Sequence, residues 1–233
     1  MAGFHWETGQ GTLTRHDEEV CGDRIEIVAS PAGLVAVLAD GVGTGIQANI
    51  LATLTSRILS VMISRGESVE DAVNMVAGSL PVNRGKGRSY TLFSILQIDE
   101  DGQATLLEMG MPPAILLRRG HCLDLKPCDE IIAGKEIRKS TVAMKDQDLL
   151  ILYSNGVERA GQNQEQPEGW RREGIMRFLQ AAYRPGLQAE GLNKLLLSAC
   201  ESLSGGKPED DAAILTIRIL SASRADGSGE VIL

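Results

Sequence analysis

Carboxylate or amide side chains stand beside glycine or a second acid at four places where an apolar segment begins or ends. These places are Cys21-Gly22-Asp23, Asp40-Gly41, Asn155-Gly156 and Asp210-Asp211. Carboxylate, amide and carbonyl oxygens are the ligands that hard cations such as Mg²⁺ and Mn²⁺ select. Each place alone also fits an ordinary turn, because Asx-Gly often ends strands. The spacing does not show that the four places converge, so four separate turns and one metal centre both remain open.

Alternating glycines follow Asp40, at Gly41, Gly43 and Gly45, where a strand-like run changes to helical periodicity. A dinucleotide-binding loop also places glycines between a strand and a helix, but its pattern is G-x-G-x-x-G. Ile46 stands where the third glycine of that pattern belongs. A nucleotide-binding α/β module with a parallel sheet therefore remains an alternative that rests on these glycines alone.

The cysteines and histidines do not form a recognisable site. The four cysteines show neither a C-x-x-C pair nor histidines at zinc-site spacing, which predicts reduced thiols packed as small hydrophobic groups. They are Cys21, Cys122, Cys128 and Cys200. The histidines, which we expect at the surface, are His5, His16 and His121.

Hydrophobic periodicity predicts an α+β fold. Apolar runs predict a first hairpin from Arg24–Ala29 and Leu34–Ala39, and turn signals separate the later strands. Helical spacing predicts two pairs of helices. Those helices are Ile46–Met62, Val69–Leu80, Trp170–Tyr183 and Leu187–Leu203. Hairpin connections favour antiparallel sheets packed face to face with the helices outside, in a single domain over residues 1–220 followed by a frayed tail at 221–233.

Composition limits the class of partner. The 233 residues carry a formal net charge of −8, which argues against nucleic acid or an anionic membrane as the main partner. The longest continuous apolar runs are much shorter than the roughly 18–20 residues of a membrane span. Residues Met1–Gln10 lack the apolar core of a signal peptide, so we expect a cytoplasmic protein. A protein partner or a cation fits this balance.

The four places, taken in order, resemble a known family. Cys21-Gly22-Asp23 resembles its Gly-Gly-Asp box, and Ala39–Gly45 resembles its Asp-Gly-x-Gly-x-Gly box. Leu152–Val157 resembles its Tyr-Thr-Asp-Gly-Val box, and Asp210-Asp211 its Asp-Asp-x-Thr box. The family is the SpoIIE-type branch of the metal-dependent protein phosphatases (PPM, the protein phosphatase 2C superfamily). Within it, the compact size and the Cys-Gly-Asp form most resemble the short stressosome feedback phosphatases.

The resemblance implies a four-layer α-β-β-α sandwich with two Mn²⁺ or Mg²⁺ ions at one end, and Asp40, Asp210 and Asp23 as its catalytic carboxylates. It implies that Asp40 bridges both ions, that the Gly41 carbonyl adds a ligand and that Asp23 serves one ion. Asn155 and Asp210 would lie at the other ion, with Asp211 supporting them. Two such ions activate a water and neutralise phosphoryl oxygens, so no nucleophilic side chain is needed.

The sequence departs from the family pattern at three positions. Asn155 stands where the family usually has Asp, so the implied ligand set loses one negative charge and the second ion should bind more weakly. Ala213 stands where the last box has a hydroxyl residue. Val42 stands where eukaryotic relatives carry a histidine, which leaves the general acid unassigned.

The function that the resemblance implies is hydrolysis of phosphoserine or phosphothreonine on STAS-type proteins of a stressosome or partner-switching pathway. The departures favour an alternative, in which the chain is a weak pseudophosphatase that binds a phosphoprotein. The basic loop with Arg84, Lys86 and Arg88 is either a solvated loop or an aid in docking an acidic phosphoprotein. The oligomeric state stays open.

Overall fold

The computed structural model describes residues 4–30, 33–79, 91–162 and 167–221. Its elements, in chain order, are β1 (Phe4–Leu13), β2 (Asp23–Ser30), β3 (Gly33–Gly41), α1 (Gly45–Ser64), α2 (Val69–Ser79), β4 (Thr91–Asp99), β5 (Gln103–Met109), β6 (Ile115–Arg118), β7 (His121–Leu123), β8 (Cys128–Ile132), β9 (Lys135–Ala143), β10 (Leu149–Tyr153), α3 (Asn155–Arg159), α4 (Arg171–Ala182), α5 (Ala189–Leu203) and β11 (Ala212–Ser221). The basic loop of Arg84, Lys86 and Arg88, and the predicted tail beyond Ser221, lie outside the described residues.

The strands form two antiparallel sheets. One has the order β1-β11-β10-β6-β7 and the other has the order β2-β3-β4-β5-β9-β8. Every strand pairing among the described residues is antiparallel. This arrangement confirms the predicted α+β class and excludes the parallel sheet that the nucleotide-binding alternative required.

Strand β3 shows why its sequence is continuously apolar, since both of its faces are buried. Leu34 and Leu38 point into the core between the two sheets, and Val35 and Val37 pack toward α1 and α2. Successive side chains of a strand point to opposite faces, so a strand in the middle of four layers needs apolar residues at every position. A third core joins β6, β10 and β11 to α4 and α5. The molecule is thus the four-layer α-β-β-α sandwich that the resemblance implied.

Helix α1 begins after Thr44, and the glycine-rich turn before it directs the chain back over the sheet. Ser68 with Asp71 three residues later predicts a capping box at the start of α2, and the structure contains it: the Asp71 backbone N–H donates to Ser68 Oγ at 3.0 Å, and Ser68 Oγ donates to Asp71 Oδ2 at 2.6 Å. Both helices cover the face of β3 and β4.

Helix α1 is also, within the described ranges, the one helix long and apolar enough to cross a membrane by length and composition. Its sequence contains no long continuous apolar run, because polar residues interrupt it. In the structure its buried side packs on the sheet, and its outer side exposes Ile46, Ile50 and Leu54.

Three parts of the structure differ from the sequence-based expectation. The apolar runs do not predict β7 or β8, and within β9 they predict a strand only at Thr141–Ala143. Strands β7 and β8 lie at the edges of their sheets and show no regular alternation of apolar residues. The short helix α3 was also not predicted, because five residues carry too little periodicity to detect.

Candidate metal centre

The hairpin of β2 and β3 brings the first two predicted acids together. Asp23 and Asp40 are paired across the hairpin, so their side chains share one face of the sheet. That face is the inner one, because Ile25 of β2 and Leu38 of β3 pack into the core between the sheets. Both carboxylates therefore point into the layer between the sheets, at its open end.

The second sheet supplies the opposite wall through the same alternation. Leu152 of β10 and Ala213 of β11 belong to the core between the sheets, which places Ser154 and Asp211, two positions away, on the inner face. Ser154 joins the two strands: its backbone N–H donates to the Ala213 carbonyl at 3.0 Å, and its Oγ accepts from the Ala213 N–H at 2.9 Å. The Ser154 hydroxyl also lies near enough to the Asp23 carboxylate to lower its pKa. A single buried hydroxyl thus connects the two halves of the site.

Glycines allow these segments to approach closely. The Gly41 N–H donates to the Gly22 carbonyl at 3.2 Å. A side chain at Gly22 would meet Asp211 Oδ2 at 2.8 Å and the Ala48 Cβ at 2.9 Å. A side chain at Gly156 would overlap the Asp211 backbone. At Gly41 the Cβ of a larger residue would overlap the Ala48 backbone, so in both Asp40-Gly41 and Asn155-Gly156 the backbone is too close to a neighbour for a Cβ atom.

The last two acids have fixed partners. Asp211 Oδ1 accepts a hydrogen bond from the Arg15 backbone N–H at 3.0 Å. Asp210 Oδ1 accepts from the Asp211 N–H at 3.0 Å, and Asp210 Oδ2 pairs with Arg159 Nη1 at 2.8 Å. Asp211 is buried, whereas the Asp210 side chain is 35% exposed.

The four carboxylates repel one another. Burial first, and then the charge of Asp40, raise the pKa of Asp23 well above its ordinary value, and the Ser154 hydroxyl partly opposes them. Burial and the charge of Asp210 raise the pKa of Asp40 from 3.8 to about 6, and the charge of Arg159 opposes the shift. Shifts with this cause mark a cluster of negative charge that a bound cation would relieve.

A divalent cation fits the donors present. Asp23 is 4% exposed, and its Oδ2 has no hydrogen-bond partner, although buried polar atoms are almost always paired. In the described parts of the chain, however, no three His, Cys, Asp or Glu side chains are grouped so as to hold one ion. The ready-made part of the site is thus the Asp23 and Asp40 pair, next to the Gly41 backbone.

Comparison with known proteins identifies the family of the chain. The model of the family described as "Stage II sporulation protein E (SpoIIE)" matches residues 30–220. The chain belongs to the SpoIIE family. Stage II sporulation protein E of Priestia megaterium is 24% identical over 174 residues, which are 72% of this chain and 30% of that protein. The chain therefore spans less than a third of the length of this curated relative.

Solved structures show the same fold as this SpoIIE-family chain. The PP2C phosphatase domain and regulatory fragment of SpoIIE from Bacillus subtilis match with a TM-score of 0.80 at 20% identity, over 96% of this chain and 64% of that one. RsbX in complex with magnesium matches with a TM-score of 0.64 at 19% identity, over 94% of this chain and 100% of that one. The fold, and with it the recognition of the SpoIIE-type branch, is confirmed.

The structure also shows where the remaining candidate ligand, Asn155, and the cysteine and histidine side chains near the N-terminus and in β7 of this SpoIIE-family chain lie. Asn155 is the first residue of α3 and is partly buried beside Ser154. Burial and the charge of Asp23 raise the pKa of the Cys21 thiol to about 12, so this thiol stays protonated and is a poor nucleophile. His16 pairs with Asp17 at 2.7 Å, and the exposed His121 begins β7.

Sequence reasoning missed two residues of the site. Ser154 lies inside a recognised box, and its place after an inward-facing Leu152 was a signal that could have identified it. Arg159 lies four residues after Asn155 and pairs with Asp210 from a distant part of the chain. No local pattern points to that pair, because it depends on the contact between α3 and β11.

Proposed function

We propose that the chain is a metal-dependent protein phosphatase that hydrolyses phosphoserine or phosphothreonine through a water activated by Mn²⁺ or Mg²⁺. The observation that carries the proposal is the unpaired, buried Asp23 Oδ2, which faces the raised-pKa Asp40 at the open end of the sandwich. The membership in the SpoIIE family and the likeness to phosphatase domains support it.

Asp23, Asp40 and the Gly41 carbonyl would hold the first ion, and Asp40, Asp210 and Asn155 would hold a second. When bound, such ions lower the pKa of a water and neutralise the charge of the phosphoryl oxygens. The Ser154 hydroxyl favours the charged form of Asp23, and the Arg15 N–H fixes Asp211 beside the ligands. The likeness to RsbX in complex with magnesium supports the choice of a hard cation.

The proposed substrates are phosphorylated STAS-type proteins of a stressosome or partner-switching pathway, in the cytoplasm. The support is the resemblance to short stressosome feedback phosphatases and the likeness to RsbX. The net charge of −8 and the proposed cation site at the end of the sandwich favour a phosphoprotein over a nucleic acid.

A second candidate function is phosphoprotein binding without turnover. Asn155 supplies no charge to the ligand set, and Arg159 already pairs with Asp210. Both observations weaken the second ion position, which would lower hydrolysis while leaving the surface that recognises a phosphoprotein intact.

Hydrolysis of p-nitrophenyl phosphate and of a phosphoserine peptide, with Mn²⁺, Mg²⁺ or EDTA, separates the two functions. The proposal expects metal-dependent turnover that Asp40→Asn lowers by at least about 100-fold, since a ligand of the ion is lost. The control is Asp129→Asn, which removes an exposed carboxylate of β8 and should leave turnover unchanged. Absence of turnover with either metal, together with retained binding of the phosphopeptide, would support the second candidate.

A further inference from the structure

Arg159 lies in the carboxylate cluster although no recognised motif includes it. Its Nη1 is 2.8 Å from Asp210 Oδ2, and its charge also lowers the pKa of Asp40. Surface ion pairs are common and contribute little to stability. This pair differs because Asp210 is an implied metal ligand. The Arg159 guanidinium also lowers the pKa of Asp40, a second implied ligand.

The placement of Arg159 follows from α3. Asn155 and Arg159 are four residues apart, so they share one face of the helix. The helix is held on β11 by the close approach of Gly156 to the Asp211 backbone and by the two hydrogen bonds between Ser154 and Ala213. The amide and the guanidinium are therefore presented together on the side where Asp210 lies.

The charges of the two halves of the site are unequal as a result. The first half contains the carboxylates of Asp23 and Asp40, and the Oδ2 atom of Asp23 has no hydrogen-bond partner. On the other half, Asn155 is neutral and the positive charge of Arg159 offsets that of Asp210, which leaves only the charge of Asp211, already hydrogen-bonded to the Arg15 N–H. A divalent cation is attracted to the first half, whereas in the second half it must displace a cation that is already present.

We propose that Arg159 is a resident cation that occupies the second ion position at Asp210, so that the chain binds one divalent ion at Asp23 and Asp40. The inference rests on the proposed metal centre. A second ion binds only when the guanidinium leaves Asp210. The side chain of Arg159 is long, flexible and 57% exposed, so replacing it leaves the core unchanged.

Calorimetric titration of the metal-free full chain with Mn²⁺ tests this assignment. We expect one bound ion for the wild type, and two for Arg159→Gln, with the second at least tenfold tighter than any weak second event of the wild type. Arg159→Lys keeps the positive charge and should retain one ion. The matched control is Arg57→Gln, which removes another exposed arginine from an ion pair, that with Glu26 at 3.3 Å, and should also bind one.

A further variant assigns the extra ion to its ligand. Adding Asp210→Asn to Arg159→Gln should abolish the second ion and leave the first. Two ions of similar affinity in the wild type, or one ion in Arg159→Gln, would overturn the role of Arg159 while the proposed phosphatase stands. If no variant binds any ion and Asp40→Asn does not change hydrolysis, the proposed metal centre itself is wrong.

Discussion

Asp23 and Asp40 are held together against their mutual repulsion. Pairing across the β2–β3 hairpin fixes their separation, and the core between the sheets prevents either side chain from turning away. Their raised pKa values show that the folded, metal-free protein bears an electrostatic cost at neutral pH. A bound cation would relieve the repulsion between the two carboxylates, which is the physical basis for a cation site here.

Asp40→Asn should stabilise the metal-free protein at neutral pH. The folded pKa of Asp40, about 6, lies above its ordinary 3.8, so the folded state holds the proton more tightly and wild-type stability falls as the pH rises through 6. The amide removes that dependence, a gain of up to about 3 kcal/mol. Urea denaturation in EDTA at pH 5 and pH 7.5, with Asp129→Asn as control, measures it. A variant less stable than the wild type at pH 7.5 would refute the sign.

Asn155→Asp should tighten Mn²⁺ binding and raise turnover, because it adds a negative charge to the half of the site that has the least. The matched control is Asn74→Asp, which adds the same charge on the exposed face of α2. Mn²⁺ titration and hydrolysis of p-nitrophenyl phosphate measure both effects. Unchanged metal affinity and unchanged rate would show that position 155 does not contribute to the ion.

At the scale of the elements, the junction of β10, α3 and β11 controls the geometry of the site. Ser154 directly follows β10, α3 begins at the next residue, and Gly156 lies against the backbone at the start of β11. The close packing of Gly156 on the backbone at the start of β11 therefore sets the positions of Asn155 and Arg159. The same contact holds the start of β11, where Asp211 lies, beside the hairpin of the other sheet.

Gly156→Ala should destabilise the protein by at least about 2 kcal/mol and weaken Mn²⁺ binding, because the added methyl overlaps the Asp211 backbone and forces α3 away from β11. The control is Gly191→Ala in α5, where the nearest atom, Leu187 Cδ1, is 3.7 Å away and a small gain in helix stability is expected. Urea denaturation and Mn²⁺ titration measure the two effects. Equal stabilities of the two variants would contradict the packing argument.

The sequence predicted those elements whose apolar residues have a period. The helices α1, α2, α4 and α5 show one, and the hairpin of β2 and β3 is marked by apolar runs on either side of a turn, all within a few residues of the observed bounds. Strand β8 could not be predicted, because four of its five residues are polar or exposed at the edge of the sheet. Asp23 and Asp40 meet within a local hairpin, but their convergence with Asp211 depends on pairings between distant strands, about which spacing along the chain holds no information. The resemblance supplied what spacing could not.

At the scale of the whole molecule, the site belongs to neither sheet alone. Asp23 and Asp40 come from one sheet, and Ser154 and Asp211 come from the other, so the site exists only while the two sheets stay packed. The apolar core between them, with Leu38, Leu152 and Leu215, is therefore the support of the polar end.

Mn²⁺ should accordingly stabilise the protein globally, since Asp23 and Asp40 are buried side by side only when the second sheet packs over them, so the ion binds the folded state. At a free concentration 100 times its dissociation constant, one ion adds about 2.7 kcal/mol to the free energy of unfolding. Thermal denaturation with and without Mn²⁺ measures the shift, and Asp40→Asn should lose most of it. A shift as large in Asp40→Asn as in the wild type would place the ion elsewhere.

The pairing of β1 with β11 also determines when the site forms. The hydrogen bond from Arg15 to Asp211 joins residues 196 positions apart, so a loop of almost the whole chain closes before Asp211 reaches its place. Closing such a loop is slow, because its entropy is lost before the contacts form. The hairpin that holds Asp23 and Asp40 is local and forms early. In a stopped-flow refolding experiment, Mn²⁺ should therefore leave the rates of the fast phases unchanged. Tight Mn²⁺ binding should appear only in the slowest phase, in which the two ends of the chain meet.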